Sequence, residues 1–150
     1  MEKAFFMKRA VELAEKAYAE GEVPVGAVIV HEGKIIGEGY NKRENGSNAL
    51  AHAEIEAIAQ ACKSIGSWRL HNCEMYVTLE PCPMCTGAVI NSRLNRVVFG
   101  AYDKKSGACV SVMNMFEYPF NHRPQIIGGY MEKECQKILT DFFEQIRKKK

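Results

Sequence analysis

Two short segments limit how this chain can fold more than anything in its composition: His52-Ala53-Glu54 and, further along, Pro81-Cys82-Pro83-Met84-Cys85. Cys82 and Cys85 are three apart, and Pro83 between them suits the first position of a helix, where its missing N–H is not needed. At such a helix start two thiolates can point at one ion, and zinc accepts sulfur and imidazole nitrogen in tetrahedral geometry. His52 would add a third bond from a second helix. Glu54 lies two residues past His52, about 200° around a regular helix axis, so both can face one ion only from a helix's first turn. The fold is thereby required to bring two helix N-termini together, and their positive dipole ends favour thiolate and hydroxide.

The rest of the chain reads as elements that can do this. Phe6, Ala10, Leu13, Ala14 and Ala17 recur at helical spacing, which predicts a helix from about Lys3 to Glu20 that Gly21 stops. Val25 to Val30 and Lys34 to Tyr40 are rich in β-branched and aromatic residues around the turn-like His31-Glu32-Gly33, a β-hairpin. The polar stretch Asn41 to Asn48 reads as a surface loop before a second helix from about Ala51 to Ser64. A third strand fits Glu74 to Leu79, and the Pro83 helix runs to about Asn91. Arg96 to Gly100 is a strand, Tyr102 to Gly107 a loop, and Gln125 to Gly128 a last strand. Met131, Cys135, Ile138, Leu139, Phe142 and Ile146 mark a C-terminal amphipathic helix. Strands interleaved with helices imply an α/β domain with helices on both sheet faces.

The length of 150 residues, 47% hydrophobic and 25% charged, is that of one domain, residues 1–150, with a sizeable core and no repeat or linker. Lys3, Lys8, Arg9, Glu12 and Glu15 interrupt the first twenty residues, so neither a signal-peptide core nor a membrane span is expected, and the location expected is cytoplasmic. Without export, six cysteines do not suggest a disulfide framework. The net charge of +2 is too small to announce nucleic-acid binding, although Lys42-Arg43, Lys104-Lys105 and Arg147 to Lys150 form local basic groups. The last reads equally as a solvated tail or a polyanion contact.

Three protein ligands leave a fourth position for water, whose pKa falls to about 7 at known catalytic zinc sites. Two thiolates weaken the ion's Lewis acidity, a loss that helix dipoles and Glu54 would offset. Glu54 would take the water's proton and pass it to a ring nitrogen and then to the departing amine. This is hydrolytic loss of ammonia from an aromatic amidine-like carbon, and the pattern is that of zinc-dependent nucleobase deaminases. Other readings stay open. A structural zinc knuckle could be completed by Cys62, Cys73 or His71, a thioredoxin-like Cys-x-x-Cys would leave His52 and Glu54 without a role, and a zinc-stabilised RNA-binding module would need no Glu54. His31 and His71 read as surface residues, and Cys62, Cys109 and Cys135 as core or incidental thiols.

Over nearly its whole length the sequence resembles the bacterial tRNA-specific adenosine deaminases, which convert the wobble adenosine of an anticodon to inosine. The resemblance rests on Glu22-Val23-Pro24-Val25-Gly26-Ala27-Val28, Thr78-Leu79-Glu80-Pro81-Cys82, and Val97-Val98-Phe99-Gly100-Ala101 leading to Asp103, Lys105 and Gly107. Asn121-His122-Arg123 and Asp141-Phe142-Phe143 complete it. It implies a cytidine-deaminase-like three-layer α/β/α sandwich with a central mixed sheet of about five strands, one zinc per chain, a homodimer, and a tRNA anticodon loop as substrate. Carried over by position, Asn41 would hydrogen-bond the target nucleotide, and Val25 and the Ala53 backbone would line its pocket. Asp103, Lys105, Asn121, Phe143 and Arg147 would hold neighbouring nucleotides or phosphates. Turn formation alone would explain Asn41 and Asp103, and core packing is the default for Phe143. The zinc motif is shared by deaminases of free guanine, cytosine or cytidine, so that alternative remains. Met113, Met115, Phe116, Tyr118 and Phe120 suit either a dimer surface or a short buried helix.

Overall fold

A computed structural model describes residues 2–149; Met1 and Lys150, the ends of the expected 1–150 span, lie outside the described residues. In chain order the elements are α1 (Glu2–Ala19), β1 (Gly26–His31), β2 (Lys34–Tyr40), α2 (Ala53–Ile65), β3 (Cys73–Leu79), α3 (Pro83–Ser92), β4 (Arg96–Ala101), a 3-10 turn (Met115–Glu117), β5 (Gln125–Ile127) and α4 (Glu132–Lys148). The strands form one sheet in the order β2-β1-β3-β4-β5. β1 runs antiparallel to β2 and β3, while β3, β4 and β5 are parallel, so the sheet is mixed as expected.

Helices cover both faces. Ala27, Ile29, Met75, Val77, Val97 and Phe99 pack against Ala53, Ala57 and Ala61 of α2 and Val89 and Ile90 of α3. On the opposite face Val28, Val30, Tyr76 and Val98 meet Phe6, Met7, Ala10 and Leu13 of α1 and Cys135 and Leu139 of α4. This double cover explains why Gly26 to Val30 of β1, Tyr76 and Thr78 are buried with no polar alternation: a central strand has no solvent face. The result is the cytidine-deaminase-like α/β/α sandwich.

Two local features position α2. Glu32 (φ 49°) and Gly33 (φ 78°) both take the left-handed conformation of a primed hairpin turn, which matches strand twist and sends β2 back beside β1. Gly39 of β2 then lies so close to α2 that a side chain there would overlap the backbone of Ala53 and Ala57. The helix start is thus held hard against the sheet.

The segment from Met113 to Phe120 buries only part of its apolar side chains. Phe116 is buried at the 3-10 turn, whereas Met113, Tyr118 and Phe120 stay exposed. Three residues make one tight turn, too little to bury every apolar neighbour. No helix among the described residues is long and apolar enough to cross a membrane.

Candidate active site

The site lies beyond the C-terminal ends of β3 and β4, where open α/β sheets bind their ligands. β3 ends at Leu79 and leads through Glu80 and Pro81 to Cys82, the N-cap of α3; Pro83 opens the helix and Cys85 follows two residues later. α2 begins at Ala53 with His52 as its N-cap, which puts Glu54 in the first turn. Two helix N-termini therefore face one point. His52 and Cys82 have the extended backbone of N-caps, yet neither side chain caps its helix, and both are left to face each other.

His52, Cys82 and Cys85 are the one group of three or more metal-ligating side chains found among the described residues, their ligand atoms all within 4.8 Å of one another. His52 Nδ1 lies 3.7 Å from Cys82 Sγ and 3.5 Å from Cys85 Sγ. Bond lengths of about 2.3 Å to sulfur and about 2.0 Å to nitrogen in a tetrahedron place such atoms about 3.6 Å apart, so the three residues fit a zinc ion. The completed knuckle finds no support: Cys62, Cys73 and His71 do not join the group. Cys73 Sγ instead lies 3.5 Å from His31 Nδ1, and His71 lines a separate cavity with Arg69, Arg93, Asn95, His122 and Arg123.

The electrostatics of the cluster suit a cation. A hydrogen bond with the Cys85 thiol holds Cys82 down at about 4, against burial, and His52 helps. The same bond and burial push Cys85 up, and hydrogen bonding to Cys82 raises His52. A bound cation would take both sulfurs as thiolates and displace the thiol proton. Glu54, 4% exposed, is pushed by burial up to about 7, with the Cys82 thiolate adding to the effect and its own backbone N–H and His52 opposing it.

Beside this cluster opens a cavity of about 230 Å³. Val25, Asn41, Ala53 and Asp103 line it together with His52, Glu54 and Cys82, and Cys85 is buried behind. Asn41 donates from Nδ2 to Val23 O at 3.2 Å and accepts at Oδ1 from Arg43 N at 3.2 Å. An amide has two donors and two acceptor sites, so half of its capacity is left for a ligand. Asp103 accepts from Lys105 N, Ser106 N and Ser106 Oγ, the turn expected of such a residue. Lys105, Asn121, Phe143 and Arg147 do not line the cavity. Lys105 is exposed on the Asp103 loop, Asn121 is exposed ahead of β5, and Arg147 is exposed in the last turn of α4. Phe143 is 43% exposed and edge-on to Phe142, which takes the core position instead.

Sequence reasoning did not assign roles to Glu22, Arg43, Glu44, Leu79, Glu80 and Ser106, which also line the cavity. The buried Glu22 carboxylate accepts from Glu44 N at 3.0 Å and Asn45 N at 2.6 Å, tying down the 41–48 loop. Glu80, 2% exposed, does the same for the loop after β4. Both sit in segments that carried the family resemblance, and their mid-loop carboxylates were the available signal.

Metal-ligand geometry, an adjacent buried carboxyl and a base-sized cavity on this fold define a deaminase. Residues 1–147 match the family of MafB19-like deaminases. The tRNA-specific adenosine deaminase of Bacillus subtilis (strain 168) is 49% identical over 146 residues, covering 97% of this chain and 91% of its own. A solved structure from biochemical and structural studies of A-to-I editing by tRNA:A34 deaminases at the wobble position superposes with a TM-score of 0.88 at 39% identity, over 91% of this chain and 99% of that one. A guanine deaminase structure from Bacillus subtilis is 44% identical with a TM-score of 0.63, over 66% of this chain and 64% of that one. The chain belongs to the MafB19-like deaminase family and, within it, to the tRNA-specific adenosine deaminases.

Proposed function

We propose that residues 1–150 act as one deaminase domain that hydrolyses adenosine to inosine at the wobble position of a tRNA anticodon. The tetrahedral spacing of His52, Cys82 and Cys85 beside the buried Glu54 carries the deamination, and the likeness to tRNA-specific adenosine deaminases over nearly the whole chain supports the choice of substrate. Those three side chains would hold zinc, which supplies Lewis acidity and an acidified water. Water oxygen bonds to C6 of adenine, the C6–N bond breaks, and ammonia leaves. Glu54 carries one proton from the water to the ring nitrogen, where inosine keeps it, and then the second, from the hydroxyl formed on C6, to the leaving amine; its first-turn position suits both transfers.

Val25, the Ala53 backbone and the spare donor and acceptor of Asn41 would hold the base. The cavity wall carries Glu22, Glu44, Glu54, Glu80 and Asp103 against Arg43 as its one Lys or Arg. Such a wall disfavours phosphates, so the RNA backbone would be held outside it by cations such as Lys105 and Arg147, with Asn121 and Phe143 meeting flanking nucleotides. A homodimer and a cytoplasmic location accompany the tRNA reading.

The likeness to a guanine deaminase favours a second reading, deamination of a free base. Incubation of the zinc-loaded protein with bulk tRNA and with free adenosine, guanine and cytidine separates the two. Inosine at a wobble position, with binding that weakens steeply as salt is added, is expected; turnover of a free base alone overturns the tRNA reading.

A further inference from the structure

We infer that Glu80 is a positioning residue for the substrate: its buried carboxylate holds the loop that carries Asp103 and Ser106 into the cavity. The inference rests on the tRNA reading for the identity of that substrate. Glu80 stands between the end of β3 and the Pro81-Cys82 ligand segment, and its backbone N–H donates to Ala101 O at 2.9 Å. Its side chain turns inward and is met by the loop after β4. Oε1 accepts from Asp103 N at 3.0 Å and from the Ser111 hydroxyl. Oε2 accepts from the consecutive backbone N–H groups of Cys109, Val110 and Ser111 at 3.2, 2.7 and 2.9 Å.

Successive N–H groups of this kind form an anion-binding concavity. Here the anion is a side chain of the protein itself, and the loop is wrapped around it. Gly107 lies against the carboxylate so closely that a Cβ would overlap it. Gly107 N in turn donates to Asp103 O at 2.8 Å, and Ala108 N donates to Pro81 O at 2.9 Å. Both ends of the loop are therefore referenced to the segment that begins the Cys82 helix. The place of Asp103 in the cavity wall is set relative to the metal-ligand cluster by one charged group. Four of the five hydrogen bonds to this carboxylate come from backbone N–H groups of the loop, and the chain from 103 to 111 has little regular structure to hold it otherwise.

The test is Glu80→Gln, which keeps the shape but sets amide hydrogens against donor N–H groups. In the zinc-loaded protein, amide exchange at 103 and 109–111 is expected to quicken by about tenfold or more, with about one zinc per chain retained. In wobble-inosine formation KM for tRNA rises about tenfold while kcat stays within about threefold. Unchanged exchange and KM overturn the inference, as does loss of zinc, or a fall in kcat at constant KM, which would put Glu80 on the ligand segment or the chemistry. Should Glu80→Gln not fold, Gly107→Ala breaks the same contact from the loop side and is expected to give the same split. The exchange measurement needs no substrate. If tRNA is not turned over at all, the proposed function fails, while exchange still decides whether Glu80 holds the loop.

Discussion

Glu54 and Glu80 face one cavity, are both almost wholly shielded from solvent, and have their pKa values moved in opposite directions. At the start of α2, burial dominates and lifts Glu54 to about 7. After β3, burial pushes Glu80 the same way, but the Ser111 hydroxyl and the backbone N–H groups of Ser111, Asp103 and Val110 outweigh it and hold the carboxyl below its usual value. Depth of burial and the donors turned toward an acid together decide what it does. A group left short of donors can exchange a proton near neutral pH, and a group saturated with them becomes a fixed charge on which a loop can be built.

The largest expected effect removes the ground on which the contrast stands. Cys82→Ala is expected to abolish both bound zinc and activity, read by elemental analysis and inosine assay; zinc at one per chain in that variant would break the ligand assignment. Glu54→Gln comes next. It keeps the metal while kcat falls by about a thousandfold, because the proton carrier is gone; full activity would remove Glu54 from the chemistry and leave the two carboxylates equivalent. Gly39→Ala strikes the Glu54 side alone by forcing the start of α2 off the sheet. A stability loss of about 1–3 kcal/mol in urea unfolding is expected, with activity falling and exchange at 109–111 unchanged. The smallest effect concerns a third carboxylate. Glu38 is lowered by its hydrogen bonds from Arg9, whose Nε and Nη2 lie 2.6 and 3.0 Å away. Its contribution is present above the unfolded carboxylate pKa and fades as pH falls through the lowered folded value. Glu38→Gln therefore costs at most about 1 kcal/mol at pH 7, since solvent screens this half-exposed pair, and less as pH falls through the lowered folded value. A larger cost would mean that one cation stabilises as well as the five donors around Glu80.

The sequence made the Glu54 side of this contrast legible and hid the Glu80 side. Spacing alone required His52 and Glu54 to share a first turn, and Pro83 announced the helix that Cys82 begins; both are local facts. Glu80 takes its partners from 23 to 31 residues away, and Glu22 from 22 and 23. Backbone N–H groups carry no side-chain signature, so only the fold reveals them. The sheet was readable because its strands punctuate cleanly, with boundaries moved by a residue or so, as where β1 begins at Gly26 instead of Val25. Val25, Asn41 and Ala53 line the cavity, and so does Asp103, for which the resemblance implied a place beside neighbouring nucleotides. Choosing between Phe142 and Phe143 needed the helix phase: Cys135, Leu139 and Phe142 share the buried face of α4, and Phe143 is one residue past it.

His52 and Cys82 occupy positions where Ser, Thr, Asp or Asn would bond the first free N–H groups of a helix, and they make no such bond. Each helix forgoes about 1 kcal/mol of terminal stabilisation, and the side chain at its start is left able to bind a metal ion. Selection for robustness and selection for activity thus pull these two codons in opposite directions. A lineage that lost the need for the reaction would be expected to drift through changes such as His52→Asn or Cys82→Ser, becoming sturdier as it became inert.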